Sequence, residues 1–354
     1  MAIEIVPYLP AHEAGVRRFN RRLADGGADP DMQFPESCHP DWMPGMELWV
    51  ALEGEEVRGG YILRRQAFSC GGEIVTAAHY RLPLSEGIVN RAYATLALRL
   101  VRDAAAREAR LYALGMGGWD KPLPQMLKRL GWRMAAVPFY FKVPHTFRFL
   151  RQIRPLRSTA VRRLACDVAA WSGGGWLALW LAGVARGTKG AAGDCAGAFA
   201  GWADGTWENC RASYGLSAWR DGATLDALYP PSDARFLRVR AAGGWAVLLD
   251  TQMRGHKQFG DLRVGTIVDC LAAEKEAETV VRTASRTLQE RGVDLIVSNQ
   301  LHRFWSGALE AAGFRRGPSN YLLALSPALA ARLGGRDERE IHMNRGDGDG
   351  PIHL

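Results

Sequence analysis

The chain has 354 residues, of which 47% are hydrophobic and 23% charged. That length and balance exclude a disulfide-held miniprotein and a wholly disordered chain, and leave room for one large core or two ordinary ones. Lys and Arg outnumber Asp and Glu by 45 to 37, a net charge of +8 spread along the chain, so composition favours anionic partners without pointing to DNA.

The opening run, MAIEIVPYLPAHEAGVRRF, lacks the basic-then-apolar order of a signal peptide and reads as strand then helix. Alternating or apolar runs predict strands at about 2–8, 46–52 and 57–68, with Glu53–Glu56 as the turn between the last two. A strand over roughly 73–82 precedes Pro83. A long amphipathic helix is expected from about 87 to 108, because Ile88, Ala92, Tyr93, Leu96, Leu100, Val101 and Ala104 recur at three- and four-residue steps. A short strand near Leu111–Gly115, a helix at Pro122–Leu130 and a hairpin arm over Trp132–Val143 follow. Pro122 suits a first helical turn and Gly131 its end.

The same order reappears later. Phe236–Arg240 and Trp245–Asp250 read as strands joined at Gly243–Gly244. Val264–Leu271 is a strand, Glu276–Arg291 a helix, Val293–Ser298 a strand and Arg303–Ala312 a helix, with Phe314–Leu325 closing the set. The run AREARLYALG (106–115) aligns with QERGVDLIVS (289–298), and each is followed by a Gly-aromatic pair, Gly131–Trp132 and Gly313–Phe314. The chain is therefore duplicated in architecture. The division expected is 1–143, a connecting segment 144–204, 205–330 and a tail 331–354.

The connector carries six arginines between Arg148 and Arg163, then the apolar run LACDVAAWSGGGWLALWLAGVA at 164–185. Asp167, Ser172 and three glycines interrupt that run. It reads as a buried helix or one lying on a membrane surface, and less readily as a bilayer span. The polar, Gly-rich tail is expected to be loose, with the option of folding back over a cleft. The six cysteines are far apart and form no CxxC, the pattern of reduced intracellular thiols, so a cytoplasmic protein, in possible contact with membrane, is expected. DGDG near the end lacks the remaining ligands of a calcium loop, and no metal is expected.

In PLSEGIVNRAYATLALRLVRDAAAREARLYALG, PLPQMLKRLGW and VPFYFKV, and again in VGTIVDCL, ETVVRTASRTLQERGVDLIVSNQ and FWSGALEAAGF, the chain resembles the GCN5-related N-acyltransferase (GNAT) fold, duplicated. The tandem form is similar to acyltransferase-like proteins of polysaccharide gene clusters and, more distantly, to transferases that add amino acids to peptidoglycan precursors. The resemblance implies an α+β protein of two domains, each a mixed, mainly antiparallel sheet flanked by helices. It implies an acyl-CoA, acetyl-CoA first, as donor and an amine of a small metabolite, amino acid or sugar as acceptor. In that fold strands four and five splay apart so that pantetheine pairs like an added strand, and pyrophosphate meets the long helix N-terminus, which the resemblance implies here as well.

That start maps to Leu82, Leu84, Gly87, Ile88, Val89, Asn90 and Arg91. Leu127 and Leu309 stand where the family carries a Tyr acid, so the proton falls to other residues. His79 and Tyr80, ending the fourth strand, could take the amine proton and support the thiolate. Asp269, inside the apolar GTIVDCL, either faces a functional cleft, where it could accept the amine proton, or is capped by backbone donors. His302 corresponds to a family Asn at the start of the last helix. Arg254 and His256 in DTQMRGHKQFGD could bind an anionic acceptor, and Asn299 and Tyr321 could line its wall. A tRNA-dependent aminoacyl transferase of similar architecture, and a degenerate binding or scaffold module, are the other readings.

Overall fold

The computed structural model describes residues 2–35, 45–181, 183–184, 193–199 and 201–348. Two compact units emerge, and they interleave along the chain: one holds Met1–Phe68, Glu73–Ala135 and Leu322–Gly334, the other Ser69–Gly72, Ala136–Tyr321 and Gly335–Leu354. Elements are numbered in chain order throughout.

The first unit contains strands β1 (Ile3–Pro7), β2 (Met46–Glu53), β3 (Glu56–Cys70), β4 (Glu73–Ser85), β5 (Leu111–Leu114) and β6 (Arg133–Ala136), and helices α1 (Glu13–Asp25), α2 (Leu96–Arg107) and α3 (Pro122–Arg129). The second contributes β7 (Phe139–Lys142), β8 (Asp194–Cys195), β9 (Leu216–Ala218), β10 (Leu237–Ala241), β11 (Gly244–Gln252), β12 (Arg263–Ala272), β13 (Leu295–Asn299) and β14 (Arg315–Gly317). Its helices are α4 (Thr146–Gln152), α5 (Ala160–Trp171), α6 (Gly174–Leu181), α7 (Trp202–Cys210), α8 (Gly222–Leu228), α9 (Ala277–Glu290) and α10 (Arg303–Ala311). The chain then returns to the first unit with β15 (Leu322–Leu325) and α11 (Pro327–Leu333), and ends its described course in the second with β16 (Ile341–His342).

The first unit's sheet runs β1-β2-β3-β4-β5-β15-β6, and the second unit's runs β14-β7-β13-β12-β11-β10-β8. In each, one parallel pair lies among antiparallel neighbours: β4 with β5, crossing over through α2, and β12 with β13, crossing over through α9. This is the tandem α+β architecture expected from the sequence. The terminal strands differ from that expectation. β15, late in the chain, pairs with β5 (Leu323 opposite Leu114), while β7, from the earlier half, lies between β13 and β14. Each sheet is thus completed by a strand from the other half of the sequence. The sequence boundary at 143 accordingly falls after a strand that belongs to the second unit.

Helix α2 buries Leu96, Leu100, Val101 and Ala104 on one stripe against Leu63, Ala78 and Tyr80, while α1 buries Val16, Phe19 and Leu23 on the opposite sheet face with Val50 and Ile62. The helix expected from 87 begins at Leu96. Residues Glu86–Ile88 and Arg91–Tyr93 form two short 3-10 turns, the first capped by Ser85 and the second by Asn90. Within the run 164–185, residues 164–171 form most of α5 and 174–181 form α6, with the break at Gly173, whose φ is +73°. No helix among the described residues is long and apolar enough to cross a membrane. The tail expected to be loose is largely buried from Ile341 to Gly348, and Asp349 and His353 lie outside the described residues.

Ala324 tests the exchange. It is fully buried in the first unit's core, so Ala324→Asp places a carboxylate there and should cost about 3 kcal/mol or more. Hydrogen exchange should rise in β5 and β6, two hundred residues away in sequence, and not in β10 and β11. Selective loosening of β10 and β11 would contradict the exchange.

Candidate functional site

Strands β4 and β5 pair only at Ala78–Leu111 and His79–Tyr112. Beyond that point β5 ends at Leu114 with β15 on its other edge, whereas β4 continues to Ser85. At Leu82 the backbone turns left-handed, with φ +48°, the one non-glycine residue to do so among those described. A side chain there is strained, so the sheet forces a kink in β4 where it parts from β5. The first unit therefore has a gap between two parallel strands, leading through residues 86–95 to the N-terminus of α2. No side chain caps that terminus at Thr95.

His79 lies on the α1 face of this sheet, fully buried and stacked on Tyr112 with ring centroids 4.8 Å apart. Gln66 and Arg64 donate to the Tyr112 hydroxyl at 2.7 and 3.4 Å. Burial, reinforced by the Arg64 and Arg81 cations, pushes the His79 pKa well down and keeps the imidazole neutral. Its Nδ1 has no hydrogen-bond partner among the described residues. Tyr80, one residue on, points to the opposite face as strand alternation requires and packs on Tyr61 in the α2 core. Burial raises its pKa well above the ordinary phenol value. The expectation that His79 and Tyr80 share one site thus fails on the pleat: they face opposite sides.

The cofactor-binding run has a different shape from the expected helical start. Leu84 is core, Ile88 is half exposed, and Gly87 donates to the Ser85 hydroxyl. A Cβ on Gly87 would meet the Tyr93 carbonyl at 2.5 Å, so this glycine is required by close backbone approach. Val89 packs against the α1 C-terminus at Gly26, and Asn90 caps Ala92. Glu86 is buried between Arg22 and Arg58, at 3.2 and 3.1 Å, which compensates its charge. Arg91 remains exposed at the entry to α2.

The second unit repeats the strand geometry and fills it differently. β12 and β13 pair from Val264–Leu295 to Ile267–Ser298, with a bulge at Val268, and then part. Beyond that point the chain's own residues 341–347 make the contacts. Leu301 donates its N–H to the Met343 carbonyl, Gln300 bridges to Asn344, and His342 Nε2 bonds the Cys270 carbonyl at 2.9 Å. Asp269, 1% exposed, accepts from Arg220 Nε, the Tyr229 hydroxyl, Asn344 Nδ2 and the Cys270 N–H at 2.7–3.2 Å. The other face of the Arg220 guanidinium holds Asp347 at 2.8 Å. Asp269 is satisfied by three side chains and one backbone N–H, where the sequence reading expected either a cleft or backbone donors.

His302 begins α10, packed edge-on against Tyr214 and Phe304, and burial drives its pKa down to about 4. Asn299 and Tyr321 are brought together by Arg345, whose Nε donates to Asn299 Oδ1 at 2.8 Å and whose guanidinium lies 5.9 Å from the Tyr321 ring centroid. Arg254 and His256 are not brought there. They sit in the turn joining β11 to β12, at the strand ends away from the parting. His256 stacks on Phe259 and accepts from the N–H groups of Gln258 and Phe259. Sequence reading missed Arg64 and Gln66. Their signal is two polar residues, two apart, on the strand face that also carries Ile62 and Phe68.

No family model and no curated protein matches the chain. Solved structures do. A conserved Enterococcus faecalis protein, described as a probable N-acyltransferase, aligns with TM-score 0.51 at 8% identity, covering 93% of this chain and 73% of that one. Saccharomyces cerevisiae N-myristoyltransferase with bound myristoyl-CoA aligns with TM-score 0.53 at 9% identity, covering 92% and 79%. At such identities the likeness is one of fold, and the chain has the tandem N-acyltransferase fold.

The buried histidines set a pH dependence. His79, His302 and His342 are all held neutral by burial, so each contributes stability that is full above the ordinary value of 6.5 and is lost as pH falls through its folded value. For His302 alone, moving from 6.5 to about 4 corresponds to about 3 kcal/mol at most. Urea midpoints should drop between pH 7 and 5, and His302→Asn should flatten that drop. An unchanged profile would contradict the neutral assignment.

Proposed function

We propose that the chain is an acyl-CoA-dependent N-acyltransferase with a single donor site, in the first unit, acting on an amine of a small metabolite, amino acid or sugar. The observation that carries this reading is the parting of β4 from β5 at a kinked Leu82, leading to an uncapped helix N-terminus. Unpaired strand backbone there suits the pantetheine amides, and the α2 terminus suits the pyrophosphate. With α2 starting at Leu96, the exposed Arg91 stands one turn ahead of it as a charge for phosphate. In the second unit the matching gap holds residues 341–347, which favours one donor per chain.

The reaction needs positioning and a proton route. The amine nitrogen forms its bond to the thioester carbonyl, the C–S bond breaks, and the amine proton leaves for the thiolate. His79 suits the transfer because its imidazole is neutral and Nδ1 is unengaged, on the same face as Arg64 and Gln66. Acetyl is the donor expected from the resemblance. The fold also accommodates longer chains, as the yeast enzyme bound to myristoyl-CoA illustrates for its own case.

Calorimetric titration with acetyl-CoA and myristoyl-CoA should give about one site per chain, the tighter donor naming the acyl class. Arg91→Glu should weaken binding about fivefold or more by reversing a phosphate-facing charge. His79→Gln should leave donor binding intact and lower thiol release with an amine acceptor about a hundredfold. Folded protein that binds neither donor would overturn the reading, and unchanged turnover would remove His79 from it.

A further inference from the structure

Helix α5 is amphipathic with its apolar stripe turned outward. Val161, Leu164, Val168 and Trp171 fall on one face at steps of three and four and are 78, 67, 58 and 72% exposed. Large side chains at such exposure are ordinary when scattered. Here Trp176, Leu177 and Leu181 on the adjoining α6 are exposed as well, and Phe147 on α4 meets the Trp171 ring edge-on at 5.2 Å.

Charge surrounds the stripe. From 144 to 181 the chain has six arginines and one acid, Asp167, which Arg157 holds at 2.7 Å. Arg162 and Arg163 flank Val161 and Leu164 and are exposed. Arg151 lies about 6 Å from both the Phe147 and Trp171 rings. Arg148 pairs with Asp294 and Arg157 with Asp167, so the combination is an apolar face carrying two tryptophans, bordered by Arg151, Arg162 and Arg163.

We propose that the α4–α6 face docks on an anionic lipid surface, lying in the interface without crossing it. Length excludes a span: α5 has 12 residues and α6 has 8, about 18 and 12 Å of helix against a hydrocarbon core of about 30 Å. Tryptophan suits the boundary between headgroups and acyl chains, and arginine stems lie along apolar surface while their heads meet phosphate. Charge complementarity selects this occupant over a second copy of the chain, because pairing two such faces would bring two sets of arginines together. This inference is independent of acyl-CoA binding.

Flotation of the full chain with vesicles tests it. The protein should float with phosphatidylcholine vesicles containing phosphatidylglycerol, at least about tenfold less with phosphatidylcholine alone, and less as salt rises. Trp171→Glu and, separately, the pair Arg162→Glu with Arg163→Glu should each abolish flotation, with circular dichroism and thermal midpoint unchanged since these side chains are exposed. No flotation at low salt would overturn the proposal. So would a dimer in light scattering that Trp171→Glu dissociates while wild-type protein ignores vesicles, since the stripe would then belong to a second copy.

Discussion

A single guanidinium organises the second unit. Arg220 is fully buried, and its two edges hold Asp269 on β12 and Asp347 on the returning tail. A buried cation costs a great deal unless its donors are matched, and here two carboxylates, the Ser217 hydroxyl and the Ala218 carbonyl engage it. The consequence reaches beyond local stability. By fixing Asp347, Arg220 fixes residues 341–347 alongside the parted ends of β12 and β13. The duplicated fold thus offers the same strand geometry twice, and one instance is satisfied from within the chain.

The first unit lacks such a closure among its described residues. Its strand β4 parts from β5, kinks at Leu82 and runs into turns that end at an uncapped helix. Strain at one residue, and a strand whose parallel pairing ends beside it among the described residues, are costs that a compact fold ordinarily removes. Their retention in one copy, beside a filled equivalent in the other, is the physical basis for assigning different roles to the two halves.

Much of the fold was legible in the sequence. The alternation in β2 and β3, the stripe Leu96–Ala104 and the matched runs 106–115 and 289–298 gave the element order and the duplication, because each depends on residues close in sequence. The exchange of β7 and β15 was not legible, since Phe139–Lys142 and Leu322–Leu325 read as strands whichever sheet receives them. The start of α2 was misplaced because Ile88 and Ala92 fit the helical period, whereas Ser85 and Asn90 cap short turns that interrupt it. The site was partly legible. His79 stood out by type and position, but its pleat separation from Tyr80 and its company of Arg64, Gln66 and Tyr112 required the sheet register. Asp269 was flagged by the rule that a carboxylate in an apolar strand needs partners, and those partners include Arg220 and Asn344, 49 and 75 residues away.

Hydrogen exchange with and without bound acyl-CoA compares the two clefts in one experiment. Donor binding in the first unit should slow exchange in residues 80–97 and leave 268–272 and 297–301 unchanged, because those already pair with or pack beside the tail. Protection appearing at 268–272 and 297–301 instead would show that the tail yields its place, and would contradict the assignment of the two clefts.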